Sequence, residues 1–232
     1  MAEFFIAGPS GRIEGRIHRS ENERAPMVVV LHPNPMQGGT MNNRVTYALF
    51  QAFVALGFSV VRFNYAGVGN SQGRKDGTGV GEMADTIAVL DWLQSVCNES
   101  RVCWIAGYSF GAYVGAQVLM RRPEIKGFVF ASVPTNLYSF DFLSPSPASG
   151  LILQGEKDEI IDSDSTLLLA EQLDSYNFVQ VEHRIIKGAD HFFTNKLKAV
   201  YDTVLEIVPE LKSVNPETKA MKKKKRPIMD DY

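Results

Sequence analysis

From Met27 onward, short unbroken apolar runs alternate with segments whose apolar residues recur every three or four positions. Met27–Leu31 (MVVVL) is rich in β-branched residues and apolar throughout, the pattern of a parallel strand covered on both faces. Val45, Ala48, Leu49, Ala52, Phe53 and Leu56 then fall at helical spacing, and Gly57 ends that helix. Phe58–Phe63 predicts the next strand, and Met83, Ile87, Leu90 and Leu93 mark a second helix. A strand over Val102–Ala106, a helix over Phe110–Arg121 stopped by Pro123, and a strand over Gly127–Ala131 follow. Leu151–Gln154 predicts another strand, Thr166–Leu173 a helix, Phe178–Ile186 the last strand, and Leu197, Val200, Val204 and Ile207 one face of a final helix.

Strand–helix alternation of this kind builds a mostly parallel sheet with helices on both faces, a three-layer α/β/α sandwich. Glu3–Ile6 and Arg12–His18 predict an antiparallel hairpin on one edge. Residues 1–214 read as one domain, a length that buries a large core without covalent staples. From Asn215 the chain turns polar and ends MKKKKRPIMDDY, so residues 215–232 are expected to be a disordered basic tail.

Composition narrows the class. A net charge of −2 gives no global attraction for nucleic acid or anionic lipid. Lys222–Arg226 reads as a solvated terminal cluster rather than a nucleic-acid site. No apolar stretch approaches the ~18 residues of a membrane span, and the opening residues lack the basic and long apolar regions of a signal peptide. A cytoplasmic location is the expectation. Cys97 and Cys103 form no disulfide framework, and reduced thiols are expected. A homodimer is compatible with the pattern.

The sharpest chemical signal is Gly107-Tyr108-Ser109-Phe110-Gly111, placed between a predicted strand and a predicted helix. That context is what a nucleophile elbow needs, because the turn leaves no room for side chains on either flank. It puts Ser109 at a helix N-terminus, where unpaired N–H groups favour a developing anion. Serine needs a base, and the base needs a carboxylate to orient it. His191, in Lys187-Gly188-Ala189-Asp190-His191, leaves the last strand at the sheet's C-terminal edge, where ligands of open α/β sheets collect. His18 and His183 lie within predicted strands, and His32 reads as a structural imidazole bonding its own loop.

Asp158 is the favoured acid because it follows strand Leu151–Gln154 at the same edge and in the chain order Ser…Asp…His. Glu156 competes, Asp162 or Asp164 suits a helix cap, and Asp190 is adjacent to the histidine. One oxyanion donor is expected from the N–H of Phe110. The second is expected from the loop HPNPMQGGT, with Asn34 first and Met36 next, since proline cannot donate.

These motifs resemble the α/β-hydrolase superfamily over residues 3–210, in particular small bacterial dienelactone-hydrolase-like proteins. HPNPMQGGTMNN, RFNYAGVGNSQG, GYSFGA, GEKD and GADHFF carry the likeness. HPNP stands where the family has His-Gly-x-Pro, so Pro33 replaces a glycine. Dienelactone hydrolases use cysteine as nucleophile, and Ser109 here argues against that substrate. The resemblance implies hydrolysis of a small-molecule ester or thioester through an acyl-serine, with no metal or organic cofactor. A peptidase, amidase or acyltransferase with the same triad is the alternative within enzymes, and a non-catalytic binding protein the alternative outside them.

The family often carries a lid between the strand after the elbow helix and the acid-bearing strand. Only Val133–Gly150 is available here, too short for a helical cap. Tyr138, Phe140, Phe142 and Leu143 are candidate pocket walls, with Met36 and Tyr108 beside them; packing of that loop on the core is the competing role. Gly67-Val68-Gly69-Asn70-Ser71-Gln72-Gly73 imitates a dinucleotide-binding loop, but its third glycine falls one place late. No zinc-ligand spacing or P-loop is present.

Overall fold

The computed structural model describes residues 1–100, 102–175 and 178–212. The tail expected over 215–232 lies outside the described residues. Eight strands among them form a single sheet: β1 (Ala2–Gly8), β2 (Gly11–His18), β3 (Met27–Leu31), β4 (Ser59–Phe63), β5 (Cys103–Tyr108), β6 (Ile125–Ala131), β7 (Ser149–Gly155) and β8 (Val181–Ile186). Their spatial order is β1-β2-β4-β3-β5-β6-β7-β8. The β1–β2 hairpin joins β4 antiparallel, and every pairing from β4 to β8 is parallel.

All five residues of β3 and of β4 are buried, as strands covered by helices on both faces must be. On one face lie α1 (Arg44–Ala55) and α5 (Leu197–Lys212), packed through Leu49, Phe53, Val200 and Val204 onto Val28, Val60 and Trp104. On the other lie α2 (Val80–Val96), α3 (Phe110–Leu119) and α4 (Ser163–Asp174), burying Leu90, Val114 and Leu173 with Val29, Ile105 and Ile152. Alternate residues of each strand therefore feed two separate apolar layers. α1 starts cleanly because the Asn43 side chain accepts from the N–H groups of Val45 and Thr46.

The expected elements form, with one notable shift. The last strand begins at Val181 rather than Phe178, whose side chain is 78% exposed. The Val181 N–H, on the side away from β7, is held by the Asp174 carboxylate at the end of α4. Between Val133 and the start of β7 at Ser149 the chain carries only a one-turn 3₁₀ helix, Asp141–Leu143. Cys97 and Cys103 are buried free thiols, and burial pushes that of Cys103 up to about 12. No helix among the described residues is long and apolar enough to cross a membrane.

Candidate active site

β5 ends at Tyr108 and α3 begins at Phe110, so Ser109 alone makes the turn. It does so at φ 53° and ψ −121°, a conformation that costs a non-glycine residue roughly 1–3 kcal/mol. The surroundings enforce it. Ser109 N–H donates to the Ala131 carbonyl of β6 at 2.8 Å, and Ser109 O accepts from Ala112 N–H at 2.8 Å. A Cβ at Gly107 would strike the Gly111 carbonyl, and one at Gly111 would lie 2.6 Å from the Leu31 carbonyl. Both glycines are needed for the strand, the helix and β3 to meet. The N–H of Phe110, first residue of α3, has no intrahelical acceptor and remains available to an anion.

His191 and Asp158 come together from 33 residues apart: His191 Nδ1 lies 2.9 Å from Asp158 Oδ2. A carboxylate only accepts, so the Nδ1 proton is fixed there and Nε2 is left as the basic nitrogen. The acid is held from four directions. Ile160 and Ile161 N–H both donate to Oδ1 at 2.9 Å, while Gln154 Nε2 donates to Oδ2 at 2.9 Å beside the histidine. Burial pushes the Asp158 carboxyl up, but the His191 bond and the two backbone donors outweigh it and hold its pKa below the ordinary value. Asp158 is therefore ionised at neutral pH.

The competing acids are engaged elsewhere. Glu156 accepts from Gly188 N–H at 2.7 Å, and Asp190 from Thr194 N–H at 2.8 Å. Asp162 caps α4 through Ser165 N–H, and Asp164 is exposed in that helix's first turn. Glu156 and Asp190 thus shape the loop that presents His191 without touching its ring nitrogens.

His191 is also fixed through its backbone. Its carbonyl accepts from Tyr108 OH at 3.0 Å and from Ser132 Oγ at 3.3 Å. Ser132 follows β6, is fully buried and has φ 47°. Tyr108, expected beside the pocket, thus also braces the histidine loop through its hydroxyl. Its ring still borders a cleft of about 200 Å³ with Asn43, Arg44, Val45, Phe192 and Asn195.

The loop after β3 is built around His32. Its Nδ1 lies 2.7 Å from the Pro33 carbonyl, and its Nε2 receives Tyr65 N–H at 3.3 Å. Complete burial lowers its pKa to about 3, so it is neutral and structural. Buried Arg62 pins the next stretch by donating to the Met41 carbonyl at 2.7 Å and to Asn42 Oδ1 at 2.6 Å. Met36 N–H donates to Asn34 Oδ1 at 2.8 Å, so it is engaged within its own loop rather than held free for an oxyanion. The Met36 side chain is exposed.

The aromatic loop resolves unevenly. Phe140 and Leu143 are buried in the core layer under α3, which takes them out of the pocket walls. Tyr138 stacks on Tyr113 of α3 at 4.1 Å and reaches Phe110 at 6.0 Å, while Phe142 is partly exposed. The segment is a strap bound to α3 rather than a cover. Sequence reasoning missed Gln154 and Ser132. Gln154 did leave a signal, a fully buried polar residue closing the apolar run Leu151-Ile152-Leu153.

The model of the X-Pro dipeptidyl-peptidase (S15) family matches residues 11–192. Among solved structures, Agrobacterium tumefaciens ATU1826, described as an α/β hydrolase of unknown function, is 43% identical with a TM-score of 0.86, covering 90% of this chain and 95% of its own. Xanthomonas campestris XC6422, described as an α/β serine hydrolase without a lid, is 29% identical with a TM-score of 0.81, covering 92% and 96%. The lysophosphatidylserine lipase ABHD12 of Xenopus tropicalis is 26% identical over 148 residues, 54% of this chain and 37% of that protein.

Proposed function

The chain belongs to the S15 family of the α/β-hydrolase superfamily, and from that premise we propose that it is a serine esterase or thioesterase working through an acyl-Ser109 intermediate. The observation that carries the reading is the Asp158–His191 pair at 2.9 Å, whose members follow β7 and β8 at the same sheet edge at which Ser109 follows β5 in its strained turn. His191 Nε2 takes the Ser109 proton as Oγ attacks the carbonyl carbon, and the Phe110 and Asn34 N–H groups receive the oxyanion. Collapse expels the alcohol or thiol, which takes its proton from His191. Water, deprotonated by the same nitrogen, then releases the acid and restores Ser109.

Two observations favour an ester or thioester with a short acyl chain. The 133–150 strap lies down on α3, so no element among the described residues closes over the acyl group, and one relative is a lysophosphatidylserine lipase. The S15 match favours a second reading, cleavage of a peptide bond after proline, because the triad itself does not select the leaving group. Turnover of p-nitrophenyl esters, acyl thioesters and Xaa-Pro p-nitroanilides separates them. Higher kcat/KM on the esters or thioesters is expected; a preference for the anilide would replace this reading with the peptidase one.

A further inference from the structure

β8 is an edge strand, with β7 on one side and no strand among the described residues beyond it. Such an edge offers unpaired N–H and C=O groups to another strand. Backbone parity shows which ones. The Gln180 and Ile186 carbonyls accept from Gly150 and Glu156 N–H across β7, so even-numbered residues turn their peptide groups inward. Val181, His183 and Ile185 turn theirs outward. Val181 N–H is occupied by Asp174, and the His183 carbonyl accepts from Arg184 Nη1 at 3.3 Å, a long bond that a facing strand would replace; His183 N–H and the groups of Ile185 form the rest of the edge.

An antiparallel partner must hydrogen-bond through outward-facing residues, so odd positions must meet odd positions if the partner is the same strand. Three central registers satisfy this. Two of them place Glu182 opposite Glu182 or Arg184 opposite Arg184, and like charges directly opposite oppose pairing. The third sets His183 against its own copy. Glu182 then stands opposite Arg184 of the second chain, twice by symmetry, and Val181 stands opposite Ile185. The sequence Val-Glu-His-Arg-Ile is thus complementary to itself when reversed. Ile185 is 44% exposed, and α4, joined to β8 by the Thr166–His183 bond, carries exposed Leu167 and Leu168.

We propose that two copies of this chain join through β8, antiparallel about a twofold axis at His183, to make one continuous sheet. The interface is isologous and closed, which hides the edge that would otherwise invite open-ended association. The Glu182–Arg184 pair within each chain, at 2.8 Å, becomes part of a neutral four-charge cluster. The inference stands apart from the catalytic reading, since no triad residue takes part.

Sedimentation velocity of the full chain over a dilution series tests it. The wild-type chain is expected to sediment as a dimer. Glu182→Arg and Arg184→Glu each place like charges opposite at both symmetry-related positions, and each should weaken the dimer by tenfold or more, on the order expected for reversed cross-strand pairs. An equimolar mixture of the two variants should recover the dimer, because every facing position then holds Arg against Glu. The intrachain pair stays broken in both, so recovery cannot come from repairing it. Far-UV circular dichroism and phosphonate labelling of each variant confirm the fold. A monomeric wild type, single variants that remain dimeric, or a mixture that stays monomeric would each overturn the proposal.

Discussion

Asp158→Asn tests the acid assignment at atomic detail. Four donors converge on the carboxylate, two at each oxygen: Ile160 and Ile161 N–H at Oδ1, and His191 Nδ1 and Gln154 Nε2 at Oδ2. Asparagine replaces one oxygen with an NH2 group, so either orientation sets a donor against two donors. If the amide oxygen keeps the backbone pair, the NH2 faces His191 and the imidazole must turn to its other tautomer. Nε2 is then protonated and no longer takes the Ser109 proton. If the amide flips, the NH2 faces Ile160 and Ile161 and the acid turn opens. The first route costs activity with modest loss of stability, and kcat is expected to fall by about 10⁴, the effect known for this exchange in another triad. At 1.36 kcal/mol per decade, that is about 5 kcal/mol of transition-state stabilisation.

The assay is steady-state hydrolysis of p-nitrophenyl butyrate, with urea unfolding run alongside. Glu156→Gln serves as the control, because its amide oxygen still accepts from Gly188 N–H and kcat should change little. An Asp158→Asn enzyme within tenfold of wild type would refute the reasoning. So would a Glu156→Gln variant as impaired as Asp158→Asn.

Gln154→Met removes the charge-assisted bond to Asp158 together with the same nitrogen's 3.2 Å bond to the Ile161 carbonyl, and should lower kcat 10- to 100-fold at unchanged KM, by the ~1.5–3 kcal/mol worth of a bond to a charged group; an altered KM with normal kcat would contradict a positioning role. Asp85, buried under the Tyr65 loop, has its pKa raised to about 6 by burial, against the Ala66 N–H bond that lowers it. Because the folded state holds that proton longer than the unfolded chain, stability declines as pH rises from about 4 to about 6. Asp85→Asn should therefore match wild type near pH 4 and exceed it by at most about 3 kcal/mol near pH 7.5 in urea unfolding; equal stability at both would remove the argument. With the 133–150 strap bound to α3, kcat/KM is expected to peak on acyl chains of about two to six carbons. Each buried methylene adds at most ~0.8 kcal/mol, and an open cleft buries few. A preference for twelve or more carbons, or a rate jump above ester solubility, would show that the strap encloses substrate.

Much of the site was legible because its signals are local. Gly107 and Gly111 flank Ser109 within five residues, and Asp158 and His191 each follow a recognisable strand. The acid stayed open at the sequence level because Glu156, Asp158, Asp162 and Asp190 share composition and neighbourhood; only the hydrogen-bond partners separate them. The Tyr108–His191 and Ser132–His191 bonds span 83 and 59 residues, so no local pattern announces them. Phe140 and Leu143 stayed open between pocket wall and core packing for a different reason. An aromatic-rich loop near a site reads as a pocket wall, yet the same side chains fill the layer under α3. The Phe178 end of β8 failed because an apolar residue continued the strand pattern, whereas its side chain is exposed and lies before the first pairing with β7, Gly150 to Val181.

The central claim is that Ser109 is the nucleophile, made reactive by His191. Intact-protein and peptide mass spectrometry after treatment with a fluorophosphonate tests it most directly. The account predicts one adduct per chain, on Ser109, appearing in step with loss of ester hydrolysis and absent from the Ser109→Ala variant and nearly so from His191→Ala. Loss of activity with the adduct on another residue, or undiminished labelling of the Ser109→Ala chain, would contradict it.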